Sequence, residues 1–366
     1  MIIHFSILAV ILLMSLVYER RIRVNKIAYG RSYAGPVLPW IVSLGYIAVL
    51  AGLRSGMNDT SVYRESFKNL PGTWQAIGNI LSGDGKDKGF DILGNLFKMY
   101  VSDNYHMWFL AFAVIESALF LYIFRKYAYS YLIAMFYFFA STLYYNYFSM
   151  MRQWFAVALT FFGFKFIREG KLLPYIILCC LAAQIHSSAY IMITFYFIVR
   201  GKAWHSRQNL MILGFSAAMI FLNPLLHILE NVMEGTTYDY VISAMQSNTG
   251  SSGIRILIAA VPVVIAFAGR KCVVDETMNI CVNASLINLM LNILAAFTSG
   301  LFVIRLATYT SVYNVLLYPY LLEMTFNKKS KKIIKPLFFA FYFLFYIYQM
   351  IHQESFGYSS DILGYF

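Results

Sequence analysis

The sequence has few charged residues for its length. Only 13% of the 366 residues are Asp, Glu, Lys or Arg, against about 25% in soluble globular chains. Hydrophobic residues make up 60%, and the mean hydropathy is +0.63. These values exclude a soluble enzyme, a disordered chain and a coiled coil, because each of these classes needs far more polar sequence. We therefore expect a polytopic membrane protein.

The sequence also lacks the patterns that bind nucleotides or metals. It has no P-loop, no glycine-rich dinucleotide fingerprint and no zinc-ligand spacing. The four cysteines, Cys179, Cys180, Cys272 and Cys281, imply no disulfide framework. The net charge of +12 would suit nucleic acid, but Lys and Arg of a membrane protein collect in its cytoplasmic loops. We expect no cofactor, no metal and no nucleic-acid partner.

Apolar runs long enough to cross a bilayer, roughly 17–25 residues, recur along the chain. They predict an all-α protein with about twelve transmembrane helices in a single transmembrane domain, residues 1–366. We interpret the first run as a retained helix and not a signal peptide, because its basic residues follow the apolar stretch. The predicted spans are 2–18, 36–53, 107–124, 129–148, 152–167, 172–186, 187–200, 209–229, 254–269, 279–298, 301–322 and 334–351.

The charge of the loops orients these spans. With the N-terminus outside, every predicted inner loop is basic and holds most of the 29 Lys and Arg residues, as the positive-inside rule requires. An error of one span would invert this pattern, so the agreement favours an even number. The longer segments on the outer side are then 54–106, 230–253 and the tail 352–366.

The long outer loop contains a predicted helix. Phe90, Leu93, Phe97 and Tyr100 recur at helical spacing, with charged residues on the other faces. This pattern is typical of an amphipathic helix that lies at the membrane interface or dips into the protein. Loops of this length in compact proteins commonly carry function, so we expect a site on the outer side.

Arginines at the outer ends of the predicted helices are the main candidates for that site. Arg54 ends the second span, Arg152 opens the fifth and Arg255 opens the ninth. Arg305 lies inside the eleventh, where a charge costs several kcal/mol unless it is paired or hydrated. Arginine is planar, always charged and suited to bidentate phosphate binding. The set therefore suits a lipid-linked phosphate or pyrophosphate.

Each arginine has a structural alternative, which is snorkelling or pairing with Asp59, Asp91 or Asp239. His186 ends the sixth span, where it could donate to phosphate or act as a base near neutral pH. The alternative for His186 is a capping or packing role. Asp59 and Asp87 are the loop carboxylates in motif-like settings, and Asp59 is the candidate base for an acceptor hydroxyl.

At these residues the chain resembles the EpsG-like branch of the Wzy polysaccharide polymerases, over roughly residues 40–325. In the second of five motifs, Asp stands for the family's Glu and Lys for its Pro, so we favour a positioning role for Asp87. The motifs, in chain order, are Arg54, Gly56, Asp59, Thr60 and Tyr63; Asp87-Lys88-Gly89-Phe90; Met151-Arg152-Gln153; Ile185-His186-Ser187; and Arg305, Tyr309 and Pro319.

The resemblance implies a GT-C-like glycosyltransferase on the outer face of a bacterial cytoplasmic membrane. Such a polymerase transfers a growing glycan from undecaprenyl pyrophosphate to the non-reducing end of another lipid-linked repeat unit, in capsule, exopolysaccharide or O-antigen synthesis. Membrane lipid and a chain-length regulator protein are further expected partners. We expect the catalytic residues to be Arg152, Arg305, His186 and Asp59, and the substrate-binding residues to be Arg54, Arg255, Tyr63, Asp87, Gln153 and Tyr309.

Three other functions remain open. A flippase or transporter of lipid-linked oligosaccharide would need charges along a path that is accessible from both sides. A membrane acyltransferase would need a donor path from the cytoplasm and a His/Glu or Arg pair on that side. The arginines outside the basic loops cluster at one face, which favours an enzyme. An O-antigen ligase-like glycosyltransferase would use the same donor, and only the acceptor separates it from a polymerase.

Overall fold

The computed structural model describes residues 2–25, 36–224, 252–273, 275–298, 300–352 and 357–365, and its chain divides into two compact units. Unit 1 comprises Met1–Ile193 and Lys329–Phe366, and unit 2 comprises Thr194–Lys328. The described residues form helices and isolated β-bridges but no strand, so the all-α prediction is confirmed. Most of the predicted outer loop 230–253, with Asp239, lies outside the described residues.

Most of the helices belong to unit 1, and α12 continues into unit 2. The helices up to that point are α1 (Ile2–Asn25), α2 (Leu38–Gly52), α3 (Thr60–Lys68), α4 (Trp74–Ser82), α5 (Lys88–Tyr100), α6 (Tyr105–Tyr127), α7 (Tyr131–Ala140), α8 (Asn146–Ser149), α9 (Met151–Phe162), α10 (Phe164–Glu169), α11 (Leu172–Ile185) and α12 (Ile191–Val199). Short 3₁₀ turns lie at Leu143–Tyr145 and Ser187–Tyr190.

The remaining described helices are α13 (Ser206–Ile220), α14 (Gly253–Ala268), α15 (Glu276–Phe297), α16 (Gly300–Ser311), α17 (Asn314–Tyr320) and α18 (Lys328–His352). A 3₁₀ turn at Arg270–Cys272 precedes α15, and a π-helical turn at Leu321–Thr325 follows α17. A buried asparagine joins α15 to α16 within unit 2. Asn288 Nδ2 on α15 donates to the Ala307 carbonyl on α16 at 2.9 Å, a polar contact of the kind that joins helices within membranes.

Among the described helices, α1, α6, α15 and α18 are long and apolar enough to cross a membrane. Shorter apolar helical segments are Leu38–Gly52, Tyr131–Ala140, Leu172–Ile185, Ser187–Val199 and Gly253–Ala268. These helices support a membrane protein, whereas about twelve crossings, the GT-C-like fold and the single domain stay predictions.

A helix lies in the described part of every predicted span, but three of the spans are interrupted. Residues 152–167 divide at Gly163, between α9 and α10. Residues 129–148 divide after α7, where Thr142 adopts a left-handed backbone with φ 63°. Residues 301–322 divide into α16, α17 and the π-helical turn. Hydropathy registers only the apolar character of these stretches, so it does not reveal a change in backbone conformation within them.

In unit 1 the helices α2, α6, α9 and α11 pack side by side, with α6 against α2 and α9, and α9 against α11. Helices α6 and α9 run in one direction and α2 and α11 in the other, so the ends of α2 and α11 lie together with the starts of α6 and α9. At this end, His106 Nδ1 lies 3.4 Å from the Gly52 carbonyl. We call it the motif end, because the first four motifs of the resemblance meet there.

The opposite end of these helices in unit 1 carries basic residues. Lys126 Nζ donates to the Tyr122 hydroxyl at 3.0 Å, and the Arg168 guanidinium lies 5.8 Å from the Tyr127 ring. Within unit 1, the structure thus separates Arg54 and Arg152 from Lys126 and Arg168 of two predicted inner loops. This separation fits the predicted orientation, which itself stays a prediction.

The long loop between α2 and α6 folds into α3, α4 and α5. The predicted amphipathic helix is confirmed as α5, but its buried stripe differs from the predicted one. Phe90 and Gly94 are buried, while Leu93 is 41% and Tyr100 67% exposed. The helix packs closely at Gly94, where a Cβ atom would lie 2.7 Å from Leu70 Cδ1.

Candidate active site at the motif end

Arg54 is buried at the end of α2, with only 1% of its surface exposed. Its Nε donates to Thr60 Oγ1 at 3.1 Å, and its Nη1 donates to the Ala51 carbonyl. The guanidinium lies over the Phe109 ring at 4.3 Å. Among the described residues, Nη2 has no hydrogen-bond partner. Arg54 is therefore held rigidly on one side and keeps one donor for another group.

A tight turn brings the rest of the first motif to Arg54. Met57 and Asn58 adopt positive φ values of 144° and 46°, and α3 begins at Thr60. The Thr60 hydroxyl donates to the Met57 carbonyl while it accepts from Arg54. Asn tolerates the left-handed region better than most residues. The turn thus places the Thr60 hydroxyl between the Met57 carbonyl and Arg54, where its hydrogen bonds fix the guanidinium.

Arg152 lies in the first turn of α9 and contacts α5. Its Nη2 is 3.3 Å from Asp91 Oδ1, and its guanidinium lies 4.5 Å from the centre of the Phe90 ring. The side chains of Arg152 and Asp91 are 25% and 30% exposed. The Nε of Arg152 is buried and has no partner among the described residues. The sequence left three aspartates as possible partners of Arg152, and in the structure its partner is Asp91.

Two features of the second motif dock the start of α5 onto the end of α11. Asp87 Oδ1 accepts a hydrogen bond from the Ser187 backbone N–H at 2.8 Å. A side chain at Gly89 would meet Gln184 Cβ at 2.7 Å and the Gln184 carbonyl at 2.8 Å. Since Asp87 caps the 3₁₀ turn after α11 and Gly89 permits the close approach, both residues fit the positioning role predicted for Asp87.

His186 is the residue at which α11 ends, as predicted. Its Nδ1 accepts from the Ser188 backbone N–H at 3.3 Å and contacts Ser188 Oγ at 2.9 Å. Because Nδ1 is an acceptor, the neutral ring carries its proton on Nε2. The capping role is thus observed, and the phosphate-binding or base role stays a prediction.

Three further candidates lie at the same end. Asp59 precedes α3 and is partly exposed, without a capping hydrogen bond from its side chain. The Tyr63 ring lies 6.2 Å from the Phe90 ring. Gln153 is 2% exposed, next to Arg152 on α9. The structure therefore brings Asp59, Tyr63 and Gln153 to the motif end, and their roles stay predictions.

The other predicted arginines belong to unit 2. Arg255 lies in the first turn of α14 and is partly exposed. Arg305 and Tyr309 lie one turn apart on α16, where Arg305 is partly exposed and Tyr309 is buried. Their roles in substrate binding and catalysis stay predictions.

Arg54 and Arg152 rest on one aromatic cluster in unit 1. Phe109 lies under Arg54 and Phe90 lies under Arg152. We call this group the aromatic cluster; its buried members are Phe67, Phe90, Trp108, Phe109, Phe112, Met151, Phe155 and Ile185. Cation–π contacts hold both guanidinium groups against this cluster.

The ionisation of the site follows from its burial. Burial lowers the pKa of Arg54 to about 10, against the opposing effect of the Glu116 carboxylate, so Arg54 remains a cation at neutral pH. Burial also raises the pKa of Asp91, and the carboxylate of Asp87 adds to this while Arg152 opposes it. The motif end therefore combines a firmly charged arginine with a carboxylate that holds its proton more tightly than usual.

The sequence did not single out two groups that the structure places at this site. The first is Asp91, which was one of three aspartates considered as partners of the arginines, and the second is the C-terminal tail. The tail residues Tyr358 and Ser360 donate to the Leu50 and Leu53 carbonyls at the end of α2. The tail lies roughly 300 residues from α2 in sequence, and local spacing carries no signal for such a contact.

The fold and the site define an all-helical membrane protein with a candidate anion site at one end of unit 1. The chain belongs to the EpsG family, which it matches over residues 37–365. This confirms the resemblance drawn from the five motifs, and EpsG is a Wzy-like polymerase family. No curated protein and no solved structure matches the chain. The family supports a polysaccharide polymerase-like role.

Proposed function

We propose that the protein is a polysaccharide polymerase of the bacterial cytoplasmic membrane, with its active site on the outer face. It transfers a growing glycan from undecaprenyl pyrophosphate to the non-reducing end of another lipid-linked repeat unit. The observation that carries the proposal is the pair Arg54 and Arg152. Each keeps a buried N–H donor without a partner among the described residues, and an unsatisfied buried donor costs about 1–3 kcal/mol. A pyrophosphate would satisfy both.

The two arginines differ in the N–H group that each would donate to a pyrophosphate. Arg54 offers Nη2 from a fixed guanidinium. Arg152 offers Nε beside its ion pair with Asp91. Hydrogen bonds between arginine and phosphate are about twice as strong as neutral ones, and apolar walls strengthen them further. The aromatic cluster therefore serves as the support for a charge-neutralising site.

In the proposed reaction, the acceptor hydroxyl oxygen bonds to the anomeric carbon of the donor glycan. The bond from that carbon to the pyrophosphate oxygen breaks, and undecaprenyl pyrophosphate leaves with the electron pair. Arg152, Arg54 and Arg305 neutralise the charge that develops on the leaving group. Asp59 accepts the proton of the hydroxyl, and His186 assists the pyrophosphate or orients an arginine. The lipid tail lies among the helices, and α3 to α5 cover the saccharide.

The proposal is tested with purified protein in nanodiscs that receives lipid-pyrophosphate-linked repeat units. We expect a ladder of polymer that disappears in Arg152→Ala and Arg305→Ala and persists in Lys126→Ala, which removes a cation from the opposite end of unit 1. No ladder, together with saccharide that becomes accessible across a sealed bilayer, would contradict the polymerase and favour a flippase. Transfer of the glycan to another kind of acceptor, and never to a second repeat unit, would favour a ligase.

A second test of the mechanism is whether polymer formation needs a metal ion. Within the described part of the chain, no three His, Cys, Asp or Glu side chains form a group suited to a metal ion. We expect polymer formation to continue after treatment with EDTA, because arginines supply the positive charge. Loss of the ladder with EDTA and its recovery with Mg²⁺ would contradict an arginine-only site.

A further inference from the structure

The C-terminal tail of unit 1 pairs with the segment that carries Arg54. Residues 357–365 form an antiparallel bridge between Ser359 and Gly56. The Ser359 carbonyl accepts from the backbone N–H groups of Ser55 at 2.8 Å and Gly56 at 3.2 Å, and the Ser359 N–H donates to the Gly56 carbonyl at 3.2 Å. A further bond runs from the Asp361 N–H to Ser55 Oγ at 3.0 Å.

The same tail caps the end of α2. A helix leaves its last carbonyls without partners inside the helix, and these carbonyls carry partial negative charge. In this protein each of four such carbonyls contacts a side chain, and three of these side chains come from distant parts of the chain. The carbonyls of Leu50, Ala51, Gly52 and Leu53 contact, in that order, the Tyr358 hydroxyl, Arg54 Nη1, His106 Nδ1 and Ser360 Oγ.

The tail approaches Gly56 closely through the side chain of Ser359. A Cβ atom at Gly56 would collide with Ser359 Oγ, whereas Ser359 Cβ would lie at 3.6 Å. The backbone of Gly56 is outside the left-handed region, so its conformation alone does not demand glycine. The glycine of the first motif is therefore explained by the approach of the tail.

We propose that Tyr358 and Ser360 are positioning residues for Arg54 in the polymerase reaction. They donate to the carbonyls of Leu50 and Leu53, which lie on either side of the Ala51 carbonyl that Arg54 itself binds. These two acceptors are thereby withheld from the guanidinium, whose buried Nη2 has no hydrogen-bond partner among the described residues. This inference rests on the proposed function.

The first test combines Tyr358→Phe with Ser360→Ala, which removes both hydroxyl donors but keeps the ring of Tyr358. Loss of both hydrogen bonds predicts a rise in the KM for the lipid-pyrophosphate donor of about tenfold or more. Tyr365→Phe, a hydroxyl deletion at a 40% exposed tail residue, is the matched control and should leave KM unchanged.

The decisive arm repeats the double variant in an Arg54→Lys background. If the tail acts through Arg54, the double variant should change KM less than twofold in the Arg54→Lys background, because the effects of coupled residues are not additive. A full tenfold change in that background would overturn the inference while the polymerase stands. If the wild-type protein forms no ladder at all, the proposed function fails, and the inference fails with it.

A second pair of variants tests the contact itself. Gly56→Ala should lower activity because its Cβ displaces the tail, and Ser359→Gly should restore activity to within about threefold by removing the clashing side chain. Hydrogen exchange of the Ser55 and Gly56 amides should rise in Gly56→Ala and return in the double variant. Lost activity without rescue would show that Gly56 acts independently of the tail and would overturn the inference.

Discussion

Arg54 and Arg152 lie on the same aromatic cluster, yet they are held in different ways. Arg54 is 1% exposed and bound by a backbone carbonyl and Thr60 from its own segment. Arg152 is 25% exposed and bound by the carboxylate of Asp91 on another helix. One cation is thus part of the framework of the site, whereas the other is held by a partner that an incoming anion can replace.

Because of this difference, we expect changes at Arg54 and at Arg152 to affect protein stability to different extents. Removal of one partner of a buried charge leaves uncompensated polar groups, which costs about 3–5 kcal/mol. An ion pair exposed to solvent contributes about 0–1 kcal/mol. We therefore expect changes at Arg54 to affect both folding and activity, and changes at Arg152 to affect activity almost alone.

The largest expected effect is that of Arg54→Met. It deprives the Ala51 carbonyl and Thr60 of their donor and leaves the buried Glu116 without its neighbouring cation. We expect polymer formation to fall by more than about 100-fold and the free energy of unfolding to fall by about 3 kcal/mol, seen as a lower Tm in detergent. An unchanged Tm would break the comparison, because Arg54 would then not be part of the framework.

Arg152→Lys should lower polymer formation by about 10- to 100-fold with little change in Tm. Lysine keeps the charge but loses the planar group that lies over Phe90 and the Nε donor. Arg168→Lys is the matched control, because Arg168 also lies near an aromatic ring, Tyr127, but at the opposite end. Equal losses in the two variants would show that the effect is not specific to the motif end.

Asp91→Asn sharpens the comparison through its pH dependence. Because the pKa of Asp91 is raised by burial, the folded state binds its proton more tightly than the unfolded state. Stability from this group is present at low pH and decreases as the pH rises from the ordinary value of 3.8 through the raised value. The difference in Tm between wild type and Asp91→Asn should shrink or change sign across this window. A difference that moves in favour of the wild type as the pH rises would contradict the assignment.

The smallest effect is expected at Asp87. Asp87→Asn keeps an oxygen that can accept from Ser187 and tolerates the left-handed φ of 57°, so activity should remain within about threefold of wild type. Asp87→Ala loses the cap, which is worth about 1 kcal/mol, and should lower Tm measurably. Abolished polymer formation in Asp87→Asn would mean that Asp87 is a catalytic base and not a positioning residue.

The sequence was informative where a property is local. Hydropathy located a helix in each predicted span, and helical spacing located α5. The end of α11 at His186 was predicted as well. The interruption at Thr142 was not, because no proline or glycine marks it and its left-handed backbone depends on the surrounding packing.

The partners of the site residues were the part that local patterns could not supply. Three aspartates were open as partners of the arginines, and only the packing of α5 against α9 and α11 selects Asp91 for Arg152. The tail contact with Gly56 joins residues from opposite ends of the chain. Both contacts depend on tertiary structure, which residue spacing within one segment does not encode.

The central claim is that Arg54 and Arg152 together bind the pyrophosphate, and binding tests it most directly. We would measure the affinity of the purified protein for a short polyprenyl pyrophosphate and for the same polyprenol without phosphate, in wild type, Arg54→Lys and Arg152→Lys. The account predicts a preference for the pyrophosphate that falls at least about tenfold in each variant. A preference that both variants retain in full would contradict it.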